Sequence, residues 1–181
     1  LPILQAGDDT VLARMNRKYS YARFREKVED FRRAVPGAAV TTDLIVGFCG
    51  ETDEQFENTV RALEELRFDQ VFLARYSQRP GTVAARSFPD DVPREVKAQR
   101  WHRLNDVLRR VSLEQNRQYA GRTLEVLVER HHPASGEVEG RSRENKLVQF
   151  PGGAELIGTL QTVEIVEALE WVLKGQYQRA G

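Results

Sequence analysis

The sequence predicts an α/β domain followed by a small all-β barrel. Three observations carry this. Up to about residue 118, apolar segments of strand length alternate with segments of helical spacing. After Gly121 the apolar spacing changes to period two. Turn residues then cut the remaining stretch into short pieces. The boundary falls between residues 118 and 119, giving domains 1–118 and 119–181.

Taken in order, LPILQ reads as the middle of a strand, so the chain is expected to be the C-terminal piece of a longer protein. Tyr21, Phe24, Val28 and Phe31 recur at helical spacing, and Pro36-Gly37 stops that helix. Val40 to Phe48 follows as a strand, expected to be buried on both faces because Leu44, Ile45 and Val46 are consecutive. Thr52 and Gln55 form a capping box, each side chain satisfying an orphan amide at a helix start. Phe56, Val60 and Leu63 lie on one face of that helix. Gln70 to Tyr76 supplies a second strand, and Asp91-Val92-Pro93 opens a long helix whose inward face is Val96, Leu104, Leu108 and Val111. Helices between apolar strands imply parallel pairing. In the second domain Leu124, Val126 and Val128 alternate with Glu125 and Glu129. Strand candidates continue to Gly175 between turns at Pro133–Gly136 and Pro151–Gly153, as in a barrel of the OB type.

Bulk properties exclude several classes. The 181 residues carry 27 basic and 27 acidic side chains, so no overall basic footprint for nucleic acid exists, and any such contact must be local. No apolar run approaches the roughly 18 residues of a membrane span. No secretion signal is visible. A single cysteine excludes an internal disulfide framework and fits the cytoplasm.

Four stretches concentrate candidate chemistry. TTDLIVGFCGET (residues 41–52) runs from a strand through two glycines into a capped helix, the edge of a parallel sheet where ligands bind and where a helix terminus favours an anionic group. The same pattern also serves as an ordinary βα turn. Its glycine spacing matches neither phosphate-loop motif. Cys49 has no histidine near it in sequence, and the bystander reading is the stronger one. No metal-ligand spacing exists. YSQRPGT (residues 76–82) puts Arg79 before a Pro-Gly turn, and ARMNRKYSY (residues 13–21) strings Arg14, Arg17 and Lys18 along a loop. GRSRENKLVQF (residues 140–150) gathers Arg141, Arg143, Asn145 and Lys146 at a hairpin suited to phosphate and base-edge contacts, and Trp171 offers a stacking face.

Together these motifs resemble the C-terminal portion of radical-SAM methylthiotransferases, nearest to the branch acting on isopentenyladenosine beside the tRNA anticodon. LPILQAGDDTVLARMNRKYS is similar to a further segment of that family, with Leu4 as one extra residue. The resemblance implies the C-terminal part of a partial (β/α) radical-SAM barrel followed by a TRAM domain. It places Thr42, Asp43, Gly47 and Glu51 on the S-adenosylmethionine side of the barrel. It assigns Arg14, Arg17, Arg79, Arg141, Arg143, Asn145, Lys146 and Trp171 to the tRNA anticodon stem-loop. The family commonly has proline where Cys49 stands, which tells against an essential thiol.

The implied reaction places a methylthio group on C2 of the adenine, with S-adenosylmethionine, two 4Fe-4S clusters, a reductant and a sulfur source. Three cysteines in CxxxCxxC would hold the radical-SAM cluster, and this chain has one, so by itself it is expected to be inactive, with no catalytic residue and no metal ligand of its own. DNA and membrane are not expected partners. A non-catalytic RNA-binding protein, a methylthiotransferase for threonylcarbamoyladenosine in tRNA, and one for a ribosomal protein are the alternatives. Open strand edges of a cut barrel predict an oligomeric or rearranged chain.

Overall fold

A computed structural model describes residues 3–177 of the chain. It divides into two compact units, Leu1–Val111 and Ser112–Gly181.

In the first unit, helix α1 (Asp9–Arg14) starts on Asp8, whose carboxylate accepts the Thr10 and Val11 amides, and α2 (Tyr21–Ala34) starts on the Ser20 hydroxyl. Strand β1 (Thr41–Val46) leads into α3 (Asp53–Leu66), which begins with the expected Thr52–Gln55 capping box, both halves formed. Strand β2 (Gln70–Arg75), the short α4 (Val83–Ser87) and the long α5 (Arg94–Arg117) follow, with α5 running past the unit limit at Val111. The two strands are parallel, with Leu44 opposite Leu73, and residue 5 extends the sheet by one parallel bridge to Leu44. The expected strand over LPILQ is thus reduced to that bridge, and its first two residues lie outside the described part.

One face of the sheet is the core. Leu44 and Val46 pack with Leu4, Phe24, Val28, Phe56, Leu63, Phe68 and Leu104. The opposite face is not buried as the run of apolar residues predicts. Asp43 and Ile45 are only half-buried, and Phe72, on the register partner of Asp43, is 58% exposed. Strand alternation sends these side chains to the face opposite the core. The start of α5 departs from the pattern too. Val96 is half-buried, while Lys97 and Arg100 are buried, because this first turn packs on the polar turn after β1.

The second unit is a closed five-stranded barrel of β3 (Thr123–His132), β4 (Glu137–Ser142), β5 (Leu147–Pro151), β6 (Leu160–Ala168) and β7 (Leu173–Tyr177), ordered β3-β4-β5-β7-β6. The β5–β7 pair is parallel and the others antiparallel, which is the OB arrangement. Its core is the predicted alternating set: Leu124, Val126, Val128, Val138, Val148, Phe150, Val163, Ile165 and Leu173. Gly140 has to be glycine, since a Cβ there would lie 2.2 Å from the Leu127 carbonyl oxygen on the neighbouring strand.

Candidate functional site

The turn after β1 is tied from several sides. The Gly47 amide donates to Glu51 Oε2 at 2.7 Å, and the Gly50 amide to Asp91 Oδ1 at 2.6 Å. Arg14 Nη1 donates to the Gly50 carbonyl at 2.8 Å. Arg100 reaches Glu51 Oε2 at 2.9 Å and Asp53 at 2.7 Å. The amides expected to face an anion are therefore already satisfied by the protein's own carboxylates, and the turn is a brace rather than an anion hole. Glu51 is 4% exposed and its Oε1 has no partner. Burial holds its carboxyl above the ordinary carboxylate range, against the opposing pull of the Gly47 amide and Arg100.

Thr42 faces the core side, where its hydroxyl accepts the Leu4 amide at 2.9 Å. Of the four residues placed on the cofactor side, Thr42 and Glu51 thus belong to the scaffold. Gly47 sits in the turn with φ +73°, and Asp43 lies on the half-buried face. Arg14, assigned to RNA by the resemblance, donates from Nη1 to the Cys49 and Gly50 carbonyls of the turn.

The open side of the sheet carries what sequence reasoning missed. Two adjoining cavities, about 210 and 370 Å³, share a wall of Gln5, Arg17, Ile45, Tyr76 and Ala84, and Arg79 lines the larger. Ile45 was hidden in one apolar run with Leu44 and Val46, and Gln5 carried no sequence signal. It is buried with φ +70° and takes its place through backbone bonds to Asp43 and Ile45. Tyr76 packs edge-on against Phe48, and burial followed by the facing Cys49 thiol pushes its hydroxyl up to about 12. Lys97 Nζ sits 5.2 Å from the Tyr76 ring centre and pairs with Asp90 at 2.5 Å.

In the second unit the β4–β5 hairpin presents Arg141, Arg143 and Asn145. Asn145 takes a left-handed φ of +59°, and its carbonyl accepts from Arg141 at 3.3 Å. Arg143 pairs with Glu125 at 2.6 Å across solvent-exposed side chains. Lys146 is 6% exposed and its ammonium lies 5.5 Å from the Tyr119 ring centre. Trp171 is 51% exposed, and the parallel register of Val148 with Leu173 carries its loop to the hairpin's end of the barrel.

The chain thus joins in sequence a parallel βα unit with a polar-lined opening to a closed five-stranded barrel of OB order that carries a basic hairpin. Residues 3–63 match the Radical SAM superfamily and residues 117–177 the TRAM domain. The chain is similar to the tRNA-2-methylthio-N(6)-dimethylallyladenosine synthases of Anoxybacillus flavithermus (45% identical over 97% of this chain and 33% of that protein) and Geobacillus kaustophilus (44%, 97% and 33%). That of Oceanobacillus iheyensis is 45% identical over 97% of this chain and 34% of its own length. The chain thus spans about a third of the curated relatives it matches.

Radical-SAM proteins work in general with S-adenosylmethionine and an iron–sulfur cluster. The residues present do not fit a cluster. The chain holds one cysteine, Cys49, buried behind Phe48, and among the described residues no group of histidine, cysteine or carboxylate side chains could hold a metal. Among the described residues no helix is long and apolar enough to cross a membrane.

Proposed function

We propose that the chain is the substrate-handling portion of a tRNA methylthiotransferase that acts on C2 of the dimethylallyl (isopentenyl) adenosine beside the anticodon, with S-adenosylmethionine and two 4Fe-4S clusters held by the whole enzyme. A cytoplasmic reductant and a sulfur source complete the reaction. The observation that carries this is similarity running unbroken through both modules, at 45% identity over 97% of the chain, to proteins named for that product.

The chain's own residues have roles that follow from their placement. Ile45 supplies an apolar wall and Gln5 a fixed polar edge to the concave face, a combination suited to an adenosyl group. Asp43 and Gly47 stand on that side, while Thr42 and Glu51 hold the strand and turn in register. S-adenosylmethionine, when bound, supplies the group that activates the adenine carbon. Arg17 and Arg79 face the same opening, and the hairpin of Arg141, Arg143 and Asn145 with Trp171 grips the stem-loop by phosphate contact and stacking. Domain limits of 1–118 and 119–181 assign the whole of α5 to the first module.

Deleting the gene and analysing tRNA nucleosides by mass spectrometry tests the proposal. The 2-methylthio derivative should vanish and N6-dimethylallyladenosine accumulate. An unchanged 2-methylthio peak, or loss confined to the threonylcarbamoyl derivative, overturns it. The 181-residue chain by itself, even after incubation with iron and sulfide, should yield no methylthio product.

A further inference from the structure

The first unit uses most of its arginines internally. Arg25 pairs with Glu65 at 3.1 Å, Arg103 with Glu57 at 2.7 Å, Arg110 with Glu64 at 2.5 Å and Arg100 with Glu51 at 2.9 Å. Among the described residues, Arg17, Arg75, Arg79 and Arg94 make no ion pair and no side-chain hydrogen bond, a condition shared in this unit only by Arg86 on α4. These four are not scattered. Arg17, Arg75 and Arg79 line the 370 Å³ cavity on the concave face. Arg75 and Arg94 line a second cavity of about 550 Å³ beyond the end of β2, with Ser77 and Lys97. Arg75, Tyr76 and Ser77 are common to both, so the two cavities wrap one strand end.

The nearby carboxylates do not neutralise them. Asp90 is taken by Lys97 at 2.5 Å, and Asp91 accepts the Gly50 amide at 2.6 Å. A chain with balanced formal charge therefore has a local run of guanidinium groups without an ion-pair partner at the strand end. Guanidinium forks match phosphate oxygens, and a row of them suits a polyanion better than a single anion.

We infer that Arg75 and Arg94, continuing through Arg79 and Arg17, form a phosphate track that leads the backbone of bound RNA around the end of β2 to the concave face. The inference rests on the RNA reading above, and adds Arg75 and Arg94, which no motif marked.

The test is anisotropy titration of the 181-residue chain with a fluorescent 17-nucleotide anticodon stem-loop at several KCl concentrations. Each phosphate contact to single-stranded RNA contributes about 0.7 to the slope of log affinity against log salt. The Arg75→Gln/Arg94→Gln variant should lower that slope by about 1.4, while Arg75→Lys/Arg94→Lys keeps it. Arg103→Gln/Arg110→Gln, which removes two paired arginines of α5, should leave it unchanged, with circular dichroism checking the fold of each. If the wild type binds and the Gln variant shows the wild-type slope, the track is wrong and the RNA reading stands. If the wild type does not bind the stem-loop at all, both fall. Saturable AMP binding that the Gln variant loses while its RNA slope is unchanged would make this a small-phosphate pocket and overturn the track.

Discussion

Replacing Gly47 by alanine combines two penalties whose sizes can be separated. Its φ of +73° is left-handed, which costs a residue with a Cβ about 1–2 kcal/mol. The added Cβ would also lie 2.4 Å from Lys97 Cγ, with Cδ and Cβ of the same side chain at 3.1 and 3.2 Å. Lys97 cannot swing clear, because its stem crosses the glycine while its ammonium is held by Asp90 at 2.5 Å. Overpacking of this kind costs about 1–3 kcal/mol, so Gly47→Ala should destabilise the first unit by about 2–5 kcal/mol. Gly37 is the internal control: φ is +80° there, but nothing stands within 4 Å of the added Cβ. Gly37→Ala should therefore show the conformational part alone, about 1–2 kcal/mol. Urea unfolding in a Trp171→Phe background reports the first unit, since Trp101 is then the only tryptophan. Equal losses for Gly37→Ala and Gly47→Ala would refute the clash, and with it the claim that Lys97 pins the turn.

Three further outcomes follow from the geometry. Arg100→Met leaves Glu51 buried without its cation, and should cost about 3 kcal/mol at pH 7. The Glu51 carboxyl is already raised by burial, so the folded state holds its proton to higher pH than the unfolded chain does. The stability from that protonation is full below the ordinary value of 4.5 and is lost as pH rises through the raised one. The Arg100→Met deficit should accordingly shrink as pH is lowered through that window, and a deficit of constant size in urea titrations from pH 7 to 4 would show that Glu51 is not its source. Thr52→Ala removes the N-cap of α3 and should cost about 1 kcal/mol by the same unfolding assay, whereas no loss would mean the capping box is dispensable. Trp171→Ala should leave the unfolding midpoint of the barrel unchanged, because half of the side chain is exposed, yet weaken stem-loop binding about tenfold. A shifted midpoint with unaltered binding would make it a packing residue.

Much of the fold was readable because local rules and tertiary outcome agree. Leu124, Val126 and Val128 alternate in the sequence and line the barrel core, and the Thr52–Gln55 pair caps the helix it predicts. The first unit was legible in its order of elements but not in its exposure. Leu44, Ile45 and Val46 look alike as a run, and only tertiary packing separates the core residues Leu44 and Val46 from the half-buried Ile45.

The candidate site divides the same way. TTDLIVGFCGET marks a strand-to-helix turn, yet which of its residues face the opening depended on partners distant in sequence. Arg14, Asp91 and Arg100 close that turn from three other elements, and no spacing rule connects residues 14, 50, 91 and 100. Lys146 reads as a free cation beside Arg141 and Arg143 until the Tyr119 ring is found beneath it.

What the sequence determined by itself was the order of the main helices and strands and the small barrel, though not the short α1 and α4, because propensity, capping and periodicity act over a few residues. The tertiary structure alone decided which cations are neutralised and which are left at the end of β2. Charge pairing is set by distances through space, and those exist only once the chain has folded.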